Sequence, residues 1–114
     1  MSEFSELLQI LEKFRDDRDW AQFHDSKNLA LALSIEAAEL NELFLWKKDE
    51  KAEQVDKQRL REELADVFAY AIMLAGRHGL DVSEIVKDKI ALNAKKYPVE
   101  SSRGSSAKYK KSED

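Results

Sequence analysis

Two short acidic pairs carry the clearest chemistry in this chain: Glu36-Ala37-Ala38-Glu39 and Glu63-Leu64-Ala65-Asp66. Each pair has i, i+3 spacing, which on a helix puts both carboxylates one turn apart on one face. Their surroundings are apolar. From Leu29 to Leu40 the only ionisable residues are Glu36 and Glu39, and from Leu64 to Ala75 the only acid is Asp66. A helix apolar nearly all round is a buried helix, and a buried carboxylate needs a partner. No Lys, Arg or His lies within a turn of Glu36 and Glu39. Two like charges about 4 Å apart repel by roughly 4 kcal/mol at an effective dielectric of about 20. If the two helices pack side by side, four converging acids therefore call for cations. Mg²⁺ suits them: it takes oxygen ligands, keeps some waters and shares its shell with phosphate oxygens. Glu42 and Glu62 are adjacent alternatives, and spacing alone does not choose between Glu62 and Glu63. The chain has no Glu-x-x-His, which disfavours a di-iron carboxylate bundle.

Other residues offer a nucleotide-like ligand something to hold. Asn93, Lys96 and Tyr97 share one face of a last helix, where a Lys meets phosphate as a point charge; the bland alternative is a solvated helix end favoured by the helix dipole. Trp20, Phe23, His24 and Trp46 could form a flat slot for a nucleobase, since stacking is worth about 1–3 kcal/mol per base. The competing reading is that these rings close a core and that His24 is structural. Tyr70, one turn beyond Asp66, reaches either a ligand oxygen or a core partner.

The elements that must position these groups are all helical in expectation. The chain has 114 residues, 43% apolar and 37% charged, with three Gly and one Pro. That predicts one all-α domain over residues 1–98 and a polar tail over 99–114. Phe4, Leu7, Leu8, Leu11 and Phe14 recur at helical spacing in a first helix from about Ser2 to Asp17, capped by Ser2 or Ser5. The charged run Arg15 to Asp19 ends it. Asp25 or Ser26 caps a second helix reaching Trp46 or Lys48. A third spans about Asp56 to His78, with Gly76 and Gly79 marking its end. A fourth starts at Asp81 or Ser83 and stops before Pro98. The tail, rich in Ser, Lys and Gly, reads as mobile. Four such helices make a small bundle. The second and third are apolar on more faces than one chain can cover, which predicts helices shared across an oligomer interface. The net charge of −4 gives no general affinity for nucleic acid. No apolar run approaches the ~18 residues of a membrane span. The N-terminus lacks the pattern of a signal peptide, and the absence of Cys fits a reducing compartment. The expected location is the cytoplasm.

With these residues in view, the chain resembles the MazG-like all-α nucleoside triphosphate pyrophosphohydrolases, and within them the dCTP pyrophosphatases. The pattern of that family is Glu-x-x-Glu on one helix and Glu-x-x-Asp on the next, here Glu36 with Glu39 and Glu63 with Asp66; this selects Glu63 over Glu62. The stretches Arg18-Asp19-Trp20-Ala21-Gln22-Phe23-His24, Glu42-Leu43-Phe44-Leu45-Trp46-Lys47, Asn93-Ala94-Lys95-Lys96-Tyr97-Pro98 and Ser102-Arg103-Gly104-Ser105 resemble further blocks of it. The resemblance implies hydrolysis of a nucleoside triphosphate to monophosphate and pyrophosphate, with dCTP or a base-modified dCTP as substrate. It implies Mg²⁺ held by Glu36, Glu39, Glu63 and Asp66. Asn93, Lys96 and Tyr97 would hold phosphate oxygens, Trp20 and Trp46 would enclose the base with His24 nearby, and Tyr70 would lie against the sugar. Dimers or tetramers are implied, and a tail carrying Arg103, Lys108 and Tyr109 that folds over a neighbour or its ligand. The alternatives are a dUTP or broad damaged-nucleotide pyrophosphatase, and a helical binding module without turnover.

Overall fold

The computed structural model describes residues 2–108, and among these there is no strand. Helices α1 (Glu3–Asp17), α2 (Ser26–Glu42), α4 (Lys57–Arg77) and α5 (Val82–Lys96) are long; α3 (Glu50–Glu53) and α6 (Val99–Ser102) are single turns, and Ala21–Phe23 forms one 3₁₀ turn. The all-α expectation holds. The chain divides into two compact units, one ending at Asp81 and one beginning at Val82. In this division α5 clusters with the residues that follow it. Within the expected polar tail, residues 99–102 form a single helical turn. Tyr109 and the rest of the tail lie outside the described residues.

In the first unit, α2 packs most extensively on α4, and α1 packs on α4 as well. The caps follow the sequence closely. The Ser2 hydroxyl accepts from the Ser5 N–H, the Asp25 carboxylate from Asn28 and the Asp56 carboxylate from Gln58, each satisfying a backbone donor that a helix start leaves orphaned. The end of α1 is more than a charged break. Asp19 adopts φ +55, its N–H donates to the Asp16 carbonyl at 3.1 Å, and the Trp20 N–H donates to the Arg15 carbonyl at 3.0 Å. This is a Schellman motif with Asp19 in the left-handed position usually given to Gly. The apolar contact that goes with such a motif is Trp20 edge-on to Phe14, ring centroids 5.8 Å apart. The end of α4 repeats the device, with Gly79 at φ +66 and the Leu80 N–H donating to the Ala75 carbonyl at 2.9 Å.

Gly76 is no terminator; it lies inside α4. A Cβ there would come within 2.6 Å of the Leu8 side chain, so its bareness lets α1 approach α4. The core of this unit is Leu29, Leu43, Ile72, Met73 and Ala75, where each large buried aliphatic contributes about 1.5–3 kcal/mol. It is a small core. Leu31 and Ile35 on α2, and Leu64 and Phe68 on α4, stay exposed, Phe68 at 57%.

α2 stops at Glu42, short of the expected Trp46. Beyond it the backbone tightens into i→i+3 bonds, Phe44 to Asn41 and Leu45 to Glu42, and Trp46 turns left-handed at φ +66. A bulky residue in that region is a strained exception, and it throws the Trp46 ring outward. The second unit consists of α5, whose last turn carries Asn93 and Lys96, then Tyr97 and α6.

Candidate active site

Because α2 and α4 pack together, Glu36, Glu39 and Glu63 converge: one carboxylate oxygen from each lies within 4.8 Å of the others. One oxygen of Glu36 and one of Glu63 are sealed from solvent with no hydrogen-bond partner. The electrostatics match the geometry. The Glu36 carboxyl is pushed up to about 7, first by burial, then by the hydrogen bond it shares with Glu39 and by the charges of Glu39, Asp66 and Glu63. Glu63 is raised by burial and by the charge of Glu39, with Arg59 opposing. Sequence reasoning passed over Arg59, although its i, i+4 spacing to Glu63 was a readable signal. Glu36 and Glu63, both raised by burial and by neighbouring carboxylates and each with an unpartnered oxygen, form with Glu39 a cluster that suits a hard divalent cation.

Asp66 does not join that group of three. It is exposed, one turn further along α4, and lines an adjoining cleft of about 250 Å³. Its charge still acts on Glu36, Glu63 and Tyr70. Phe14, Trp20, His24, Tyr70 and Met73 also line the cleft. His24 stands edge-on to Tyr70 with ring centroids 6.4 Å apart, and its Nδ1 is buried without a partner. Burial and the charges of Glu36, Asp66 and Glu39 raise the Tyr70 hydroxyl, so it stays neutral and able to donate. The Arg18 guanidinium lies 3.6 Å from the centre of the Phe14 ring.

Of the residues expected to bind substrate, Trp20, His24 and Tyr70 meet in this cleft. Trp46 does not: it is 90% exposed and absent from the cleft wall, for the backbone reason given above. Within one chain the ring beside Trp20 is Phe14, which sequence reasoning had assigned only to the apolar stripe of α1. The signal was available, since Phe14 and Trp20 bracket the charged turn. Asn93, Lys96 and Tyr97 belong to the second unit, where the Tyr97 N–H donates to the Asn93 carbonyl at 2.8 Å and Asn93 is half-buried.

Comparison with known proteins identifies the family. The chain is 42% identical to dCTP pyrophosphatase 1 of Mus musculus and 40% identical to that of Homo sapiens, in each case over 91% of this chain and 64% of the relative. It therefore spans a little under two thirds of the length of these curated relatives. A crystal structure of a pyrophosphatase from Archaeoglobus fulgidus superposes with a TM-score of 0.80 at 39% identity, covering 86% of this chain and 94% of that one. Residues 31–111, which include both acidic pairs, match the model of the MazG-like family. The chain belongs to the MazG-like family.

Proposed function

We propose that this protein is a Mg²⁺-dependent nucleoside triphosphate pyrophosphohydrolase that converts a deoxynucleotide, foremost dCTP or a base-modified dCTP, to the monophosphate and pyrophosphate, and so cleanses the nucleotide pool. The observation that carries the reading is the pair of sealed, unpartnered oxygens of Glu36 and Glu63 beside Glu39, directly next to an aromatic cleft. The names of the relatives support the substrate.

Glu36, Glu39 and Glu63 would hold the cation, with Asp66 as a fourth carboxylate on the cleft side. Mg²⁺, when bound there, would offset the charge of the triphosphate and would make a water a better nucleophile toward the α-phosphorus. The chain's own residues do the rest. Phe14 and Trp20 offer ring surface to the base. His24 presents a buried nitrogen to it. Tyr70, held neutral, packs against the sugar, where its ring leaves little room for a 2′-hydroxyl. Lys96, with Asn93 and Tyr97, provides phosphate-binding chemistry at the end of α5. The exposed Leu31, Ile35, Leu64 and Phe68 support a homo-oligomer, dimer or tetramer. Among the described residues no helix is long and apolar enough to cross a membrane, and with no Cys in the chain we assign the protein to the cytoplasm.

The test is a panel of nucleoside triphosphates with Mg²⁺, with pyrophosphate and orthophosphate detected separately. Pyrophosphate release, fastest from a cytosine deoxynucleotide, is expected. Orthophosphate as the only product would reject the reaction.

A further inference from the structure

At its C-terminal end α4 makes a second polar grip, away from the acids. Arg77 is the last residue of the helix. Its Nε donates to the Ser26 hydroxyl at 3.2 Å and its Nη1 to the His24 carbonyl at 3.3 Å. The Ser26 Oγ also stands 2.9 Å from Nε2 of His78. From the α2 side, the Asn28 side-chain amide donates to the Phe23 carbonyl at 3.1 Å. The segment between the 3₁₀ turn and α2 is thus pinned to the helix that carries Glu63, Asp66 and Tyr70. Such pinning matters because the segment has little else. Phe23 is 58% exposed, and His24 has its Nδ1 buried without a partner while its ring forms part of the cleft wall. Both acceptors of Arg77 are neutral, and the planar fork spans them in one geometry, which a Lys cannot reproduce.

We infer that Arg77 is a positioning residue for base selection: by clamping the His24 carbonyl and the Ser26 hydroxyl it sets where the His24 imidazole stands against Tyr70, without itself touching the nucleotide. The inference rests on the proposed pyrophosphohydrolase reading for its kinetic consequence and on geometry alone for its structural one.

Both parts are tested on the full chain with Arg77→Met, Arg77→Lys and Ser26→Ala. The protein has only two histidines, so ring NMR signals are assignable with a His78→Ala variant. In Arg77→Met the His24 signals should move and broaden. For the preferred nucleotide, KM should rise about tenfold, the equivalent of one lost charge-assisted hydrogen bond, with kcat within about twofold. Selectivity between cytosine and the other bases should fall. Arg77→Lys should recover little of this. In a His24→Ala background, Arg77→Met should cost no further selectivity, because the two act through one ring. Should Arg77→Met fail to fold, Ser26→Ala tests the same clamp with a smaller effect of the same kind. Unmoved His24 signals, or retained selectivity beside a lowered Tm, would overturn the inference and mark Arg77 as merely structural. A wild type that turns over no nucleotide would instead reject the proposed function, and the His24 ring spectrum would still decide whether the clamp positions the ring.

Discussion

Glu36 on α2 and Glu63 on α4 each have one solvent-sealed, unpartnered oxygen, and a carboxylate oxygen of each lies within 4.8 Å of the other and of one from Glu39. Nothing in a stable metal-free fold gains from that arrangement, because burial and the neighbouring carboxylates raise the cost of ionising Glu36 and Glu63. Removing one charge should therefore separate function from stability. Glu36→Gln is expected to cut Mg²⁺-dependent turnover by more than about a hundredfold, beyond the usual effect of a residue that merely supports a ligand. The same variant should melt no lower than wild type in chelator at neutral pH. Steady-state kinetics and calorimetry on one preparation check both halves.

The pH dependence of stability has a definite sign. Folding raises the Glu36 carboxyl from its ordinary value to about 7, so between those limits the folded chain holds a proton that the unfolded chain has released. Stability from this group is complete at low pH and is lost as pH rises through about 7. Glu63, also raised, adds in the same direction. The difference in Tm between Glu36→Gln and wild type, both in chelator, should grow in favour of the variant from pH 4.5 to pH 7.5. Adding Mg²⁺ should restore the wild type most at the upper end, where the carboxylates are free of protons.

Asp19 offers a prediction on the turn that carries Trp20. Its φ of +55 costs a non-Gly residue energy, whereas the backbone bonds that place Trp20 need no side chain. Asp19→Gly should raise stability by about 0.5–1 kcal/mol, the loss of the Gln22 contact at 3.1 Å included. KM for the nucleotide should stay within twofold. Asp19→Val, β-branched in a left-handed position, should lower both Tm and affinity.

The rings divide by role. Trp20→Ala or Phe14→Ala should raise KM about tenfold to a hundredfold, the worth of one stacked face, with a smaller effect on kcat. Kinetics with two bases will show whether the loss is shared equally between them.

Leu31 with Ile35, and Leu64 with Phe68, are two i, i+4 pairs left open on the α2–α4 layer. The proposed oligomer would cover them. Phe68→Glu should convert the assembly to a smaller species by light scattering; an unchanged mass would mean another face mediates assembly.

Much of this was legible from residue types. The four long helices, the Ser2 and Asp25 caps and the acids Glu36 and Glu39 follow from periodicity, capping chemistry and the absence of nearby cations, whereas Glu63 was chosen over Glu62 only by the family resemblance. The rest depended on backbone geometry that residue types do not announce. Asp19 and Trp46 occupy left-handed positions without Gly to signal them, so the Schellman turn under Trp20 and the outward turn of Trp46 were invisible. Asp66 shares a face with Glu63 by spacing, yet a one-turn rise carries it to the cleft and out of the cluster. Gly76 read as a stop because a glycine near a helix end usually is one; its function is the close approach of Leu8. The grip of Arg77 on His24 joins residues 53 apart in sequence, which no local pattern encodes.

The central claim is that the carboxylates of Glu36, Glu39 and Glu63 hold the Mg²⁺ that turnover requires. The most direct measurement is pyrophosphate release from dCTP as a function of Mg²⁺ concentration, for wild type and Glu39→Gln side by side. A saturable Mg²⁺ dependence in the wild type that is abolished or shifted to far higher Mg²⁺ in Glu39→Gln is the expected result. An unchanged Mg²⁺ curve and rate in Glu39→Gln would contradict it.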